Sequence, residues 1–376
     1  MQTTDQDQNQ TRHKEGYDKK VQNYAWMSFN KILVIGLGQL GLPVAKYVKD
    51  RGFDVYGYDI STKALERAEK TAGVKKAINF SGFDVYIICV STHRQEDMFS
   101  PQIEGILSIV QDKIAKEAKN GALVSIESTI PKGTSKKVFE MLNHRLHVAH
   151  APHRWYALEE KEHGVNQLRV VGGVCDCCLR AAMQFYDGAV ISTIEEQREA
   201  STPKSASIEA TEITTSGNGN GNGNGNGHGL NNFTYIPSTK NTSLGIPMHP
   251  VPEIEIAELT KIIENAHRYL QIAFAEDLYL YCQANNINFA ELRDSLNTKW
   301  NVNVLEPREG IGGHCLPKDT KMFLNSSRSI KSKILEAAIQ TDETYRTHRR
   351  TKEITQHECA ASTNYLTKTM CQNVRS

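Results

Sequence analysis

Residues 31–59, KILVIGLGQLGLPVAKYVKDRGFDVYGYD, decide the fold. Ile32 to Ile35 form an apolar, buried-strand run, Gly36, Gly38 and Gly41 interrupt it, and a helical pattern carries the chain to near Gly52. A second strand, Asp54 to Tyr58, closes on Asp59. This is G-x-G-x-x-G after a strand, opening a helix, with an acidic residue about 20 positions on. Gly36 permits the tight turn, Gly38 lets a pyrophosphate approach the backbone, and Gly41 lets helix pack on strand. The pyrophosphate is then expected at the helix N-terminus. Asp59 is expected to accept hydrogen bonds from an adenosine ribose and to repel a 2′-phosphate, which favours NAD over NADP.

The alternation continues outward from this unit. Asp84 to Val90 reads as a buried strand, Ile103 to Lys119 as a helix, Ala122 to Ile126 as a strand and Thr134 to Leu142 as a helix. Strands alternating with helices mean a parallel sheet covered on both faces, with ligands outside the carboxyl ends of the strands. Ser91 and Thr92 follow one such end, Ser128 and Thr129 another, and Pro152, His153 and Arg154 a third. Hydroxyls there can touch cofactor or substrate, and they also cap helices; the residues alone leave both roles open.

A chain of 376 residues with 39% hydrophobic content has room for two domains and a substantial core. Its formal net charge of +1 shows no basic excess of the kind that nucleic acid or a membrane surface selects. No apolar run is long enough to span a bilayer, and the polar start, MQTTDQDQNQTRHKEGYDKK, has no apolar core of a secretory signal. The expected location is therefore the cytoplasm, with the eight cysteines mostly reduced. Cys175, Cys177 and Cys178 have no matching Cys or His pair after them at finger spacing, so they are expected to be thiols near the sheet, and no metal is expected.

Residues 1–28 read as a disordered tail, and residues 195–244 as a low-complexity Asn/Gly insertion centred on GNGNGNGNGHG, because neither can bury enough apolar surface to offset its ordering entropy. Between them, residues 29–194 form the dinucleotide-binding domain. After the insertion, Glu255 to Cys282 has uninterrupted helical character, with Ile256, Leu259, Ile263, Ala266, Leu270 and Ala273 stepping by three and four. A second stripe, Glu258, Lys261, Asn265 and Arg268, runs beside that seam. By itself it reads as a solvated face with intrahelical ion pairs. Ala290 to Leu296 reads as a shorter helix, and residues 346–376 as a polar tail.

The segment 306–324, EPREGIGGHCLPKDTKMFL, places Gly310, Gly312 and Gly313 just before a single cysteine, Cys315, with Lys318 and Asp319 just after it. A thiol in a glycine-rich loop beside a cation has the setting that lowers a thiol pKa; buried inert cysteines are nevertheless common.

Four segments in order, GLGQLGLP, STIPKGT, AELTKIIENAHR and GIGGHCLPKD, closely resemble the signatures of the nucleotide-sugar dehydrogenases, the UDP-glucose/GDP-mannose dehydrogenase family. The resemblance covers roughly residues 30 to 340 outside the insertion. It implies a Rossmann-type doubly wound parallel sheet followed by an all-α dimerisation domain, residues 245–345, built on one long helix. The implied activity is NAD-dependent oxidation of a nucleotide sugar, a UDP-hexose or UDP-N-acetylhexosamine, at C6 from alcohol to carboxylate. The resemblance makes Cys315 the nucleophile that forms a thiohemiacetal and then a thioester. It makes Lys261 and Asn265 the oxyanion donors, Asp319 and Thr129 the groups that hold water or move protons, and helix 255–282 a homodimer interface. GGHC looks more like the N-acetylmannosamine branch and LPKD more like the glucose branch.

Three departures accompany the likeness. Pro152-His153 stands where the family commonly has Pro-Glu, so His153 is expected to take the acid/base role. Ser91-Thr92-His93 replaces the usual Pro-Thr-Pro. The second Rossmann-like domain that grips the nucleotide is expected to be absent. Two alternatives follow: a catalytically weak or non-enzymatic dimeric NAD-binding relative, and a two-domain hydroxyacid-type dehydrogenase that uses the Lys and Asn without a cysteine.

Overall fold

A computed structural model describes residues 27–93, 101–154, 164–193, 233–237, 243–326 and 331–373. Residues 1–26 of the expected tail and most of the expected insertion lie outside these residues.

The opening unit forms as the sequence dictates. Strand β1 (Lys31–Ile35) leads through the glycines into α1 (Gly41–Asp50), β2 (Asp54–Tyr58) and α2 (Thr62–Ala72). Short β3 (Lys75–Lys76) and buried β4 (Val85–Ile88) follow. Helix α3 runs over Glu104–Ile109, a π turn at Val110–Ile114, and Ala115–Glu117. Then come β5 (Leu123–Ile126), α4 (Thr134–Met141), β6 (His147–His150), β7 (Arg169–Gly173) and α5 (Asp176–Tyr186). Alternate residues of β1 face opposite ways, as the two-residue pleat requires. Ile32 and Val34 join a core with Val44, Val48 and Phe185, whereas Leu33 and Ile35 join one with Ile106, Val110 and Val138. Two apolar layers on one sheet are what a doubly wound domain needs.

The sheet is mostly parallel, as expected, with one antiparallel pairing. With β10 (Met248–Val251), its order is β10-β7-β6-β5-β4-β1-β2-β3, and β7 pairs antiparallel with β6 through Ala149↔Gly173 and His150↔Gly172. Strand β10 then pairs parallel with β7. The five strands β1, β2, β4, β5 and β6 remain mutually parallel, so their carboxyl ends share one edge. A separate two-stranded hairpin joins β8 (Ala189–Thr193) to β9 (Phe233–Pro237). The second of these strands lies within the span expected to be low-complexity, because FTYIP is a β-branched and aromatic run.

Beyond the sheet the chain is helical: α6 (Ile254–Ala284), α7 (Phe289–Leu296), α8 (Cys315–Ser326) and α9 (Lys333–Asn373). Where a polar tail was expected from 346, α9 continues unbroken. The stretch contains neither Gly nor Pro to stop a helix.

The expected seam on α6 is shifted. Ile262, Ala266, Tyr269 and Ala273 are buried, but Ile256 is 39% and Ile263 40% exposed. Glu258, assigned to a solvated stripe, is fully buried. It accepts hydrogen bonds from the backbone N–H groups of Gly133 (2.6 Å) and Ser135 (2.8 Å), capping the amino end of α4. A carboxylate thus docks the long helix onto the nucleotide-binding domain. Burial raises its pKa, while the Ser135 and Gly133 hydrogen bonds oppose that shift.

Candidate active site

The dinucleotide cradle sits at the carboxyl ends of β1 and β2. Gly36 has φ +86, and a side chain there would meet the Cys89 carbonyl oxygen at 2.8 Å. A methyl on Gly41 would lie 1.7 Å from the Gly36 carbonyl oxygen, whereas one on Gly38 meets nothing within 4 Å. Packing therefore requires Gly36 and Gly41, while Gly38 borders open space over the first turn of α1. No side chain caps that turn at Leu40; the Leu42 N–H donates to the Gly38 carbonyl at 3.2 Å, and the positive end of the helix dipole favours a pyrophosphate here. Asp59 is held by the backbone N–H groups of Leu37 (2.7 Å) and Ser61 (2.8 Å). Both carboxylate oxygens keep lone pairs for a ribose. These residues fit NAD.

A second cluster is assembled at the carboxyl ends of β4, β5 and β6. The Ser128 hydroxyl donates to the Val90 carbonyl at 2.7 Å, tying the loop after β5 to the end of β4; Thr129 is half-buried in that same loop. Thr92 is buried, and its hydroxyl accepts a hydrogen bond from Lys318 Nζ at 3.1 Å. Lys318 Nζ also lies 3.1 Å from Asp319 Oδ1, and Asp319 Oδ2 accepts from the side-chain amide of Asn265. One polar chain therefore runs from the Rossmann domain through α8 to α6. Ser91 turns away from it, its hydroxyl pairing with His93 Nδ1 at 3.0 Å, and the His93 ring lies against His314, with centroids 4.3 Å apart.

Cys315 begins α8 and is exposed. Its pKa is raised, first by partial desolvation and then by Asp319, while Lys318 and Lys261 pull it down. The expected lowering is thus overturned. The carboxylate next to the thiol and the surrounding protein together outweigh both ammonium groups.

His153 is buried with its ring against the Glu127 carboxylate. Burial, then the Arg169 cation, push its pKa down to about 4, while Glu127 acts the other way and Lys261 adds a smaller downward push. The imidazole is therefore neutral near pH 7. Glu127 is fully buried too. Burial would raise its pKa, but His153, Arg169 and the Tyr186 hydroxyl hold it at about 2. Lys261 is half-buried, and its charge acts on both His153 and Cys315.

Sequence reasoning did not assign Glu127, Lys318 or Arg169. Glu127 directly precedes Ser128-Thr129 at a strand end, a position that could have flagged it. Arg169 lies inside an apolar strand, where a buried cation always needs a partner. Lys318 was read as the cation beside Cys315, but its contact with Thr92 had no sequence signal.

The loop before Cys315 is clamped from α9. Asp342 Oδ1 accepts from the Ile311 N–H at 2.8 Å, Tyr345 Oη donates to the Arg308 carbonyl at 2.6 Å, and Arg346 donates to Asp342 and to the Ile311 carbonyl. Gly310, at φ +96, lies where a side chain would meet Arg346 at 2.7 Å.

Residues 66–190 match the NAD-binding domain model of the UDP-glucose/GDP-mannose dehydrogenase family, and residues 255–344 match its central-domain model. Together they span more than half of the chain. The chain is similar to UDP-N-acetyl-D-mannosamine dehydrogenase of Methanococcus maripaludis, at 26% identity over 323 residues, covering 80% of this chain and 62% of that protein. A protein of the same name from Campylobacter jejuni is 26% identical over 349 residues, with 84% of this chain and 72% of that protein covered. The fold is also that of the solved UDP-D-ManNAc dehydrogenase from Pyrococcus horikoshii, with a TM-score of 0.64 and 24% identity, covering 88% of this chain and 72% of that one.

Proposed function

The chain belongs to the UDP-glucose/GDP-mannose dehydrogenase family, and from that membership we propose that it oxidises a nucleotide sugar at C6 from alcohol to carboxylate, in the cytoplasm. The substrate class suggested by the relatives is a UDP-N-acetylhexosamine. The observation that carries this reading is the hydrogen-bonded chain of Thr92, Lys318, Asp319 and Asn265 beside Cys315, drawn from three distant segments to the edge where a parallel sheet binds its ligands.

Bound NAD supplies the hydride acceptor for both oxidations. His153, neutral and in contact with Glu127, is the group that takes the hydroxyl proton in the first of them. The Cys315 thiolate adds to the resulting aldehyde carbon, and the Lys261 ammonium and Asn265 amide stabilise the oxyanion of the thiohemiacetal. Oxidation leaves a thioester. Water positioned by Asp319 and Thr129 attacks it, releasing the carboxylate and returning the thiol.

A homodimer through α6 belongs to this reading. Ile256, Ile263, Phe274 and Tyr281 are 39%, 40%, 58% and 57% exposed, and their spacing of seven, eleven and seven puts them on one face.

The test is a panel of UDP and GDP sugars with NADH readout. Two NADH per sugar, and a Cys315→Ala protein that stalls or releases aldehyde, support the proposal. The raised thiol pKa favours a second reading, a hydroxyacid-type dehydrogenase in which Lys261 and Asn265 act without the thiol; one NADH per substrate and a fully active Cys315→Ala protein would support that instead.

A further inference from the structure

The amino end of β6 and the first turn of α5 bring one imidazole and three thiols together, away from the carboxyl-end cluster. His147 opens β6, Cys175 immediately precedes α5, and Cys177 and Cys178 lie in its first turn. The ligand atoms of His147, Cys177 and Cys178 all lie within 4.8 Å of one another. Cys175 lies outside that mutual group and adjoins it through the other thiols, its Sγ 3.0 Å from Cys177 Sγ and 3.2 Å from Cys178 Sγ. These separations are far beyond the roughly 2.05 Å of a disulfide. Around a tetrahedral zinc with Zn–S of about 2.3 Å, ligand sulfurs sit about 3.8 Å apart. To become a coordination shell, the cluster of thiols would spread to that spacing, with Cys175 moving toward His147.

Two further features suit a metal. The Val148 backbone N–H donates to Cys178 Sγ at 3.3 Å, an outer contact that orients a thiolate ligand and offsets part of its charge. The three cysteines also sit at the amino end of an eleven-residue helix, where the positive end of the helix dipole favours thiolates.

We propose that His147, Cys175, Cys177 and Cys178 hold a zinc ion. Thiolate and imidazole together select zinc over magnesium or calcium. Each ligating thiol gives its proton to solvent as its sulfur binds. Four protein ligands leave no open position, so the ion is structural, pinning β6 to α5 beneath the sheet edge that carries His150 and His153. The spacing argument from sequence looked only downstream of the cysteines, whereas the fourth ligand stands upstream on a neighbouring strand.

The experiment measures metal in the full-length chain purified without added zinc and then titrated with zinc chloride, using elemental analysis and a competing chromogenic chelator. About one tightly held zinc per chain is expected. Cys177→Ser and His147→Gln are expected to lose most of it while keeping NAD binding, and Cys315→Ser is expected to keep it. Cobalt(II) added to the metal-free wild-type chain is expected to give thiolate-to-metal charge-transfer absorption with a tetrahedral d–d pattern, a readout that needs no variant. A wild-type chain that binds neither ion overturns the proposal. So does zinc lost with Cys315→Ser but not with Cys177→Ser, or a disulfide between Cys175 and either neighbour under non-oxidising purification.

Discussion

The side-chain amide of Asn265 donates to the carboxylate of Asp319, tying α6 to the helix that begins with Cys315. An amide has two N–H donors, so the second is left for the oxyanion of the proposed mechanism. Replacing Asn265 with Ala removes that donor and frees Asp319. The expected result is a fall in kcat of about 10²–10³-fold with a much smaller change in KM. Steady-state NADH kinetics on a nucleotide sugar from the proposed panel provide the measurement.

Asp319 also raises the thiol pKa of Cys315. Asp319→Asn removes a negative charge beside the sulfur, which favours the thiolate. Alkylation of Cys315 by iodoacetamide, followed by mass spectrometry from pH 7 to 10, is expected to shift to lower pH in the variant. An unchanged profile would show that the carboxylate does not act on the thiol.

Gly38 and Gly41 separate cofactor binding from folding. Gly38→Val has room in the protein and blocks the space for a pyrophosphate, so the variant is expected to melt like wild type and bind NAD at least about tenfold more weakly, a loss of about 1.4 kcal/mol. Gly41→Ala drives a methyl into the Gly36 carbonyl, and a destabilisation of about 3 kcal/mol or more is expected. Thermal melts beside NAD titrations tell the two apart.

Glu258 caps α4 from another domain. Glu258→Ala leaves the N–H groups of Gly133 and Ser135 unpaired, at an expected cost of about 2–4 kcal/mol for two charge-assisted bonds. Glu258→Gln keeps one carbonyl acceptor and is expected to cost about half as much. Urea denaturation of the three proteins decides it, and equal stability of all three would refute the docking role.

Glu276 is fully buried; burial first, and then Asp342, raise its pKa to about 8. A carboxyl with a raised folded-state pKa binds protons more tightly in the folded than in the unfolded chain. Its contribution to stability is therefore full below about pH 4.5 and lost as pH rises toward about 8. Glu276→Gln is expected to flatten that part of the melting-temperature profile and to be the more stable protein at pH 8 and above. Melting curves from pH 5 to 9 measure it.

The parts of the molecule legible in sequence are those with a local signature. The β1–α1–β2 unit is specified by glycines, an apolar run and Asp59, all within thirty residues, and its strand limits agree closely with the structure. Cys315, Asp319, Lys261 and Asn265 were singled out because they sit in two recognisable segments, which meet in space where Asn265 donates to Asp319. What stayed hidden depends on long-range partners. Glu258 sits in an otherwise polar helical row, and only the position of α4 reveals that it is buried. Glu127 and Arg169 are neighbours in the fold and far apart in sequence. His147 gains thiol neighbours only once β6 packs on α5. The reach of α9 was hidden because a polar helix without a single apolar stripe looks like a tail.

The hairpin of β8 and β9 has a consequence for chain length. Thr193 and Phe233 are paired residues of an antiparallel ladder, so the two ends of the stretch between them are held side by side. Closing a longer link across such fixed posts costs only about 0.6 kcal/mol for each doubling. A change in the number of Gly-Asn repeats between these two posts is therefore expected to cost the fold little.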